Sequence, residues 1–173
     1  VVSSIYTRLQ STIKFLLGSS EKDDVEKDRG NSMERKDFVL AVLSSCPDAT
    51  YNPVQVQKLF FLIDMKIPKP VDGPYFDFAP YDYGPFDKRV YSTLELLTEE
   101  GLVAIEETTG YRSYTTTKRG QMKGQKLFET LPEKARTYII KLSDYVRSLS
   151  FKELVSAIYQ AYPKMRANSV FRE

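Results

Sequence analysis

The chain has 173 residues, 42% of them hydrophobic and 28% charged, so a core can form, and the length fits one domain with an appendage. Twenty-five Lys and Arg against 23 Asp and Glu leave a formal charge of +2, which gives no support for strong, unselective phosphate binding. The absence of histidine removes Ser-His and Cys-His catalysis and His-ligated zinc, and the single cysteine, Cys46, closes no intrachain disulfide.

Residues 1–32 are expected to form an appendage. Ile5, Leu9, Ile13, Leu16 and Leu17 make an apolar stripe at helical spacing, interrupted by polar residues as a signal peptide would not be. A charged run, Glu21 to Arg29, follows and reads as a solvated linker or polar helix end. No stretch approaches the apolar length that spans a bilayer. With the lone cysteine compatible with a reducing compartment, a cytoplasmic protein without a membrane partner is expected.

From Met33 the pattern is mostly helical. Phe38, Val42 and Leu43 predict a helix within 34–45, broken at Cys46-Pro47. Asn52-Pro53 is a helix start, with Asn at the N-cap and Pro in the first turn, and Val56, Leu59, Phe60, Leu62 and Ile63 continue it until Pro68 and Pro70 end it. Residues 68–86 hold five of the nine prolines and six of the 22 aromatics, so this segment is stiff and ring-rich. Alternation in Tyr75-Phe76-Asp77-Phe78 predicts a short strand over 75–79, and Gly84-Pro85 a turn that starts the next helix. That helix carries Phe86, Val90, Leu94 and Leu97 and stops at Gly101.

Leu102–Glu107, the turn Thr108-Thr109-Gly110 and Tyr111–Thr116 predict a β-hairpin. A helix with Met122, Leu127 and Leu131 follows Thr117-Lys118-Arg119-Gly120. Helix, hairpin, helix in this order is the layout of a winged-helix domain over 33–131. Two further helices complete 132–173. One places Ala135, Tyr138, Ile139, Leu142 and Val146 inward; the other starts at the capping box Ser150-x-x-Glu153 and carries Phe151, Leu154, Val155, Ile158 and Tyr162. The expected class is mainly α with a small β-sheet: a winged-helix-like core with added C-terminal helices.

The stretches around Gln57-Lys58-Leu59, Tyr81-Asp82-Tyr83-Gly84-Pro85 and the hairpin resemble the Panacea and SocA-like antitoxin group and related YwgA-like bacterial proteins. The likeness covers roughly 34–131 and implies a non-enzymatic protein that binds another protein, often a toxin. The N-terminal extension and the two C-terminal helices depart from the group's pattern.

Each candidate site has two readings. The Tyr81–Pro85 turn is a rigid packed turn, a binding anchor, or both. Gln57 and Lys58 flank a buried stripe, where the Lys58 methylenes cover the core edge. Because a short segment cannot bury all its rings, the expected partner face comprises Tyr75, Phe78, Tyr81, Tyr83, Gly84 and Pro85 with the exposed side of the Gln57–Lys58 helix. Arg112, Lys118, Arg119, Lys123 and Lys126 read first as a solvated face and second as a phosphate-facing patch, joined by Lys88 and Arg89. Cys46 lacks a His to activate it, the adjacent carboxylates point apart, and Gly120-x-x-x-Gly124 lacks the P-loop pattern. No metal, cofactor or catalytic residue is expected. The first expectation is therefore an interaction module, antitoxin-like or an adaptor subunit of a bacterial complex, binding a toxin, a complex subunit or a second copy. The alternative is a DNA-binding regulator, disfavoured because residues 86–100 carry Asp87, Glu95, Glu99 and Glu100 against Lys88 and Arg89.

Overall fold

The computed structural model describes residues 32–172; the stripe over 5–17 and the run over 21–29 lie outside the described residues. The elements are α1 (Arg35–Leu43), β1 (Thr50–Tyr51), α2 (Pro53–Lys66), β2 (Ala79–Tyr81), β3 (Gly84–Phe86), α3 (Lys88–Glu99), β4 (Val103–Thr108), β5 (Tyr111–Thr116), α4 (Lys118–Glu129), α5 (Glu133–Ser148) and α6 (Phe151–Ala161), with 3-10 turns at Lys69–Val71 and Pro163–Arg166. The protein is mainly α with two small antiparallel sheets, as its sequence implies. No helix among the described residues is long and apolar enough to cross a membrane.

Local signals set most of these elements. The Asn52 side chain accepts from Gln55 N while the Gln55 side chain accepts from Asn52 N, a reciprocal cap ahead of Pro53. Ser150 and Glu153 form a second such pair at α6. Gly101, at φ +68°, ends α3 in the left-handed conformation that favours glycine.

α1 is buried on every side from Phe38 to Leu43, so it forms the centre of the molecule rather than an amphipathic flank. Around it one core runs from Val56, Phe60 and Ile63 of α2 through Val90, Leu94 and Leu97 of α3 to Ile139, Leu142 and Val146 of α5 and Leu154, Val155 and Ile158 of α6. Residues 132–161 thus share the core of the preceding segment.

Four expectations are corrected. The third strand beside the hairpin is β1, which pairs Thr50 with Thr115 and Tyr51 with Tyr114 in the order β1-β5-β4. Tyr75–Phe78 is not a strand, because carboxylates take the place of a neighbouring strand. Asp64 accepts from the backbone N–H of Tyr75 (3.0 Å) and Phe76 (2.9 Å), and Asp87 accepts from that of Asp77 (2.8 Å). Gly84-Pro85 does not start α3; it pairs with Pro80 and Tyr81 in a separate hairpin, and the N-cap passes to Asp87, which accepts from Arg89 N at 2.8 Å.

The fourth correction concerns α4. Its inner face is Gly120, Gly124 and Phe128, while Met122 points outward. A Cβ on Gly120 would lie 1.8 Å from Leu102 O, and one on Gly124 would lie 1.9 Å from Ser44 Oγ and 2.7 Å from Leu40 O. The Gly120-x-x-x-Gly124 spacing is therefore no phosphate loop: Gly120 lets α4 approach the Leu102 backbone, and Gly124 lets it approach α1. Gln121 Nε2 fastens it by donating to Ser44 O at 2.8 Å.

Candidate functional site

The β2–β3 hairpin and its surroundings gather most of the residues singled out above. Its base rests on three polar side chains of α2 and the α3 cap. Gln57 reaches the Asp87 peptide with both ends of its amide: Nε2 donates to Asp87 O and Oε1 accepts from Asp87 N, each at 3.0 Å. A side-chain amide thereby imitates one rung of a β-ladder. Lys58 Nζ donates to Pro85 O at 3.2 Å, and among the described residues it forms no ion pair. Burial alone lowers its pKa to about 7.

The two buried aspartates differ. Burial pushes the Asp64 carboxyl up despite its two backbone hydrogen bonds. For Asp87 burial acts in the same upward direction, but the Arg89 guanidinium and the N–H groups of Asp77 and Arg89 outweigh it and hold the carboxyl below its ordinary range. Arg89 therefore caps Asp87 instead of standing free as a phosphate contact.

The hairpin's other support is α6 with the C-terminal segment. Gly84, at φ +97°, sits so close to α6 that a Cβ would lie 3.3 Å from the Tyr159 ring and 3.6 Å from Ile158. Val170 N donates to Asp82 O (3.0 Å), Asn168 Nδ2 donates to Pro80 O (3.1 Å) and Ser169 Oγ donates to Asp82 O (3.3 Å). These bonds satisfy carbonyls along the hairpin that have no strand to pair with.

Held from beneath, the hairpin presents rings. Tyr81 is 52% exposed and Tyr83 42% exposed. Tyr81 packs on Phe86, which packs on Tyr91; Tyr83 meets Phe151 edge to face at 5.1 Å, and Phe151 meets Phe171 at 5.8 Å. Phe151, expected in the α6 stripe, is 42% exposed because it occupies the first helical position, at the hairpin's edge. It also walls a groove of about 520 Å³ running to the tip of the β4–β5 hairpin, lined by Pro53, Val54, Glu107, Tyr111 and Arg112. Tyr111 at that tip is 55% exposed.

The expected partner face is therefore divided. Tyr81 and Tyr83 are on it, and Phe78 is half-buried against Phe61. Tyr75, Gly84, Pro85, Gln57 and Lys58 are interior. Tyr75 stacks on Phe38 with centroids 4.0 Å apart and donates its hydroxyl to Val71 O, so this ring is core. The polar pair Gln57-Lys58 is buried because the hairpin folds back over α2, a long-range event that helical periodicity along α2 does not register. Phe151 and Tyr111 were missed as site residues for the same reason: Phe151 meets Tyr83 only in space, and Tyr111 shares a groove with Phe151 from a distant part of the chain.

The cations form no single surface. Lys88 is exposed at the start of α3, Arg112 pairs with Glu107 on the β4–β5 hairpin, and Lys118, Arg119 and Lys123 lie on α4, where Lys123 Nζ is 3.5 Å from Asp37. The outer side of α3 carries Ser92, Glu95, Leu96 and Glu99. Half-buried Cys46 lies 3.8 Å from the Asp144 carboxylate, and no group of three or more metal-binding side chains converges among the described residues.

No family model, curated protein or solved structure matches the chain.

Proposed function

We propose that the chain is a non-enzymatic protein-interaction module with a winged-helix-like core, antitoxin-like or an adaptor subunit of a bacterial complex in the cytoplasm. Its partner seats on Tyr81, Tyr83, Phe151 and Tyr111. The observation that carries this reading is a set of exposed rings fixed by a buried polar base. Tyr83 and Phe151 stand edge to face above a hairpin whose carbonyls and peptide groups are bonded by Lys58, Gln57 and the 168–170 segment. Aromatics so held bring large contact area at low conformational cost, the property of interface anchors. The likeness around Gln57-Lys58-Leu59 and Tyr81–Pro85 to the antitoxin group supports the same reading.

The test is the full chain isolated from its source, with any co-eluting protein then titrated by calorimetry against Tyr83→Ala and Phe151→Ala. Weakened binding with unchanged melting supports the aromatic face; unchanged affinity in both variants overturns it. A chain that elutes alone at twice its mass, and falls to monomer in the same variants, assigns the face to a homodimer.

The alternative, a DNA-binding regulator, draws support from the order of α1, β1, α2, α3 and the β4–β5 hairpin. Against it stand Glu95 and Glu99 on the outer side of α3 and the commitment of Arg89 to Asp87. Duplex affinity is expected to be weak and to vanish at physiological salt, read by an anisotropy salt titration.

A further inference from the structure

Two exposed helix faces carry opposite charge around an exposed apolar residue. On the outer side of α3, Leu96 is 51% exposed, with Glu95 and Glu99 beside it, both exposed. On the outer side of α4, Met122 is 61% exposed and sits among Lys118, Arg119, Lys123 and Lys126, all exposed. The lysine methylenes widen the apolar area around the methionine and leave their charges at its rim.

Neither charge pattern serves its own helix. Glu99 and the C-cap Glu100 close α3 at the negative end of its dipole, with no cation in the last turn. Lys118 and Arg119 open α4 at the positive end of its dipole, with no acid in the first turn. Part of this charge is answered within the chain, where Lys36 pairs with Glu100 and Lys123 lies 3.5 Å from Asp37. Glu95, Glu99, Lys118, Arg119 and Lys126 form no ion pair among the described residues.

The two faces adjoin. A Cβ on Gly101, directly after α3, would lie 4.0 Å from Arg119 Nη1. Lys36 chiefly, with Lys123 and Arg119 behind it, holds the Glu100 carboxyl below its ordinary range. An acidic face beside a basic one complements its own copy turned about a twofold axis, because acid then meets base twice.

We propose that α3 and α4 form the surface of a symmetric dimer, in which Glu95, Leu96 and Glu99 of one copy meet Lys118, Met122 and Lys126 of the other. Twelve-residue helices present faces roughly 18 Å long and about 10 Å wide, so the contact falls below the roughly 800 Å² per partner of a standard interface. The dimer is therefore weak, steered by charge and sensitive to salt. This inference does not rest on the aromatic face.

The test is sedimentation equilibrium of the full chain. The parent is expected to dimerise, with a dissociation constant that rises about tenfold or more between roughly 50 and 500 mM salt. Glu95→Lys with Glu99→Lys removes the acidic face; Lys118→Glu, Arg119→Glu and Lys126→Glu together reverse the basic one. Each variant by itself is expected to be monomeric, with melting unchanged or raised because the new charges suit the helix dipoles. Mixed in equal amounts, the two are expected to form a heterodimer. A parent that stays monomeric at low salt and millimolar concentration overturns the proposal, as does a dimer that both reversals leave intact or a mixture that does not associate. Tyr83→Ala is expected to leave the mass unchanged; a dimer that it dissolves belongs to the aromatic face and overturns the proposal as well.

Discussion

The α1–α4 seam and the β2–β3 hairpin are both tightly held, for opposite reasons. At the seam α4 comes so close to α1 at Gly124, and to the Leu102 backbone at Gly120, that neither glycine leaves room for a methyl group, and the surface is consumed by packing. At the hairpin the strands are only three residues each, far too short to be stable alone, and buried polar groups clamp them from below. The first arrangement spends its side chains on stability. The second leaves Tyr81 and Tyr83 free for contact because Gln57, Lys58 and Asp87 do the holding. Damage at the seam is therefore expected to show in stability, and damage to the exposed rings in binding.

The largest effect is expected at the seam. Gly120→Ala places a methyl against the Leu102 carbonyl, and Gly124→Ala places one against Ser44 and Leu40. Each is expected to cost about 3 kcal/mol or more, although alanine is the better helix former, because the Leu102 or Leu40 backbone must yield, and at Gly124 the buried Ser44 side chain as well. Urea denaturation checks this. Melting that rises in both variants would break the contrast.

Lys58 gives the next effect, through pH. Its folded pKa of about 7 lies below the ordinary lysine value of about 10.4. Between these values the unfolded chain binds the proton and the folded chain does not, so stability rises with pH from about 7 upward, by at most about 1.4 kcal/mol per pH unit. Tyr75 and Tyr91, both raised by burial to about 12, oppose the rise only above about pH 10. Unfolding measured from pH 7 to 9 is expected to show the slope in the parent chain and not in Lys58→Met.

Gln57→Ala leaves the Asp87 N–H without its partner and takes one of two bonds from the Asp87 carbonyl, which keeps that of Val90 N, and is expected to cost about 2 kcal/mol of stability. The same protein should bind its partner more weakly only as far as the hairpin loosens. Tyr83→Ala is expected to do the reverse: a binding loss on the order of 1 kcal/mol with a stability change below about 1 kcal/mol, since one edge-to-face ring pair is removed at the surface. Calorimetry and melting of this pair of variants sharpen the comparison most, because each reports on one half of it.

Much of the hairpin's chemistry was visible in the sequence without its placement. The aromatic and proline content of 68–86 indicates a stiff segment that cannot bury every ring, and Tyr81 and Tyr83 are indeed exposed. The interior course of Gln57 and Lys58 was not visible. Both are polar, both lie on a helix, and what buries them is a hairpin some 25 residues later in the chain. Phe151 illustrates the converse: its spacing with Leu154, Val155 and Ile158 points inward, yet as the first residue of α6 it turns toward Tyr83.

By itself the sequence determined the helices, the caps at Asn52 and Ser150 and the β4–β5 hairpin. These rest on interactions within a few residues, such as Asn52 with Gln55 and Ser150 with Glu153, where the partners are fixed by spacing. Tertiary structure alone decided that Thr50–Tyr51 completes the sheet, that two aspartates replace a strand along 75–77, and that glycines form the inner face of α4. Each of these depends on a partner from a distant part of the chain. A local pattern records the propensity of a residue but not which distant backbone group will come to meet it.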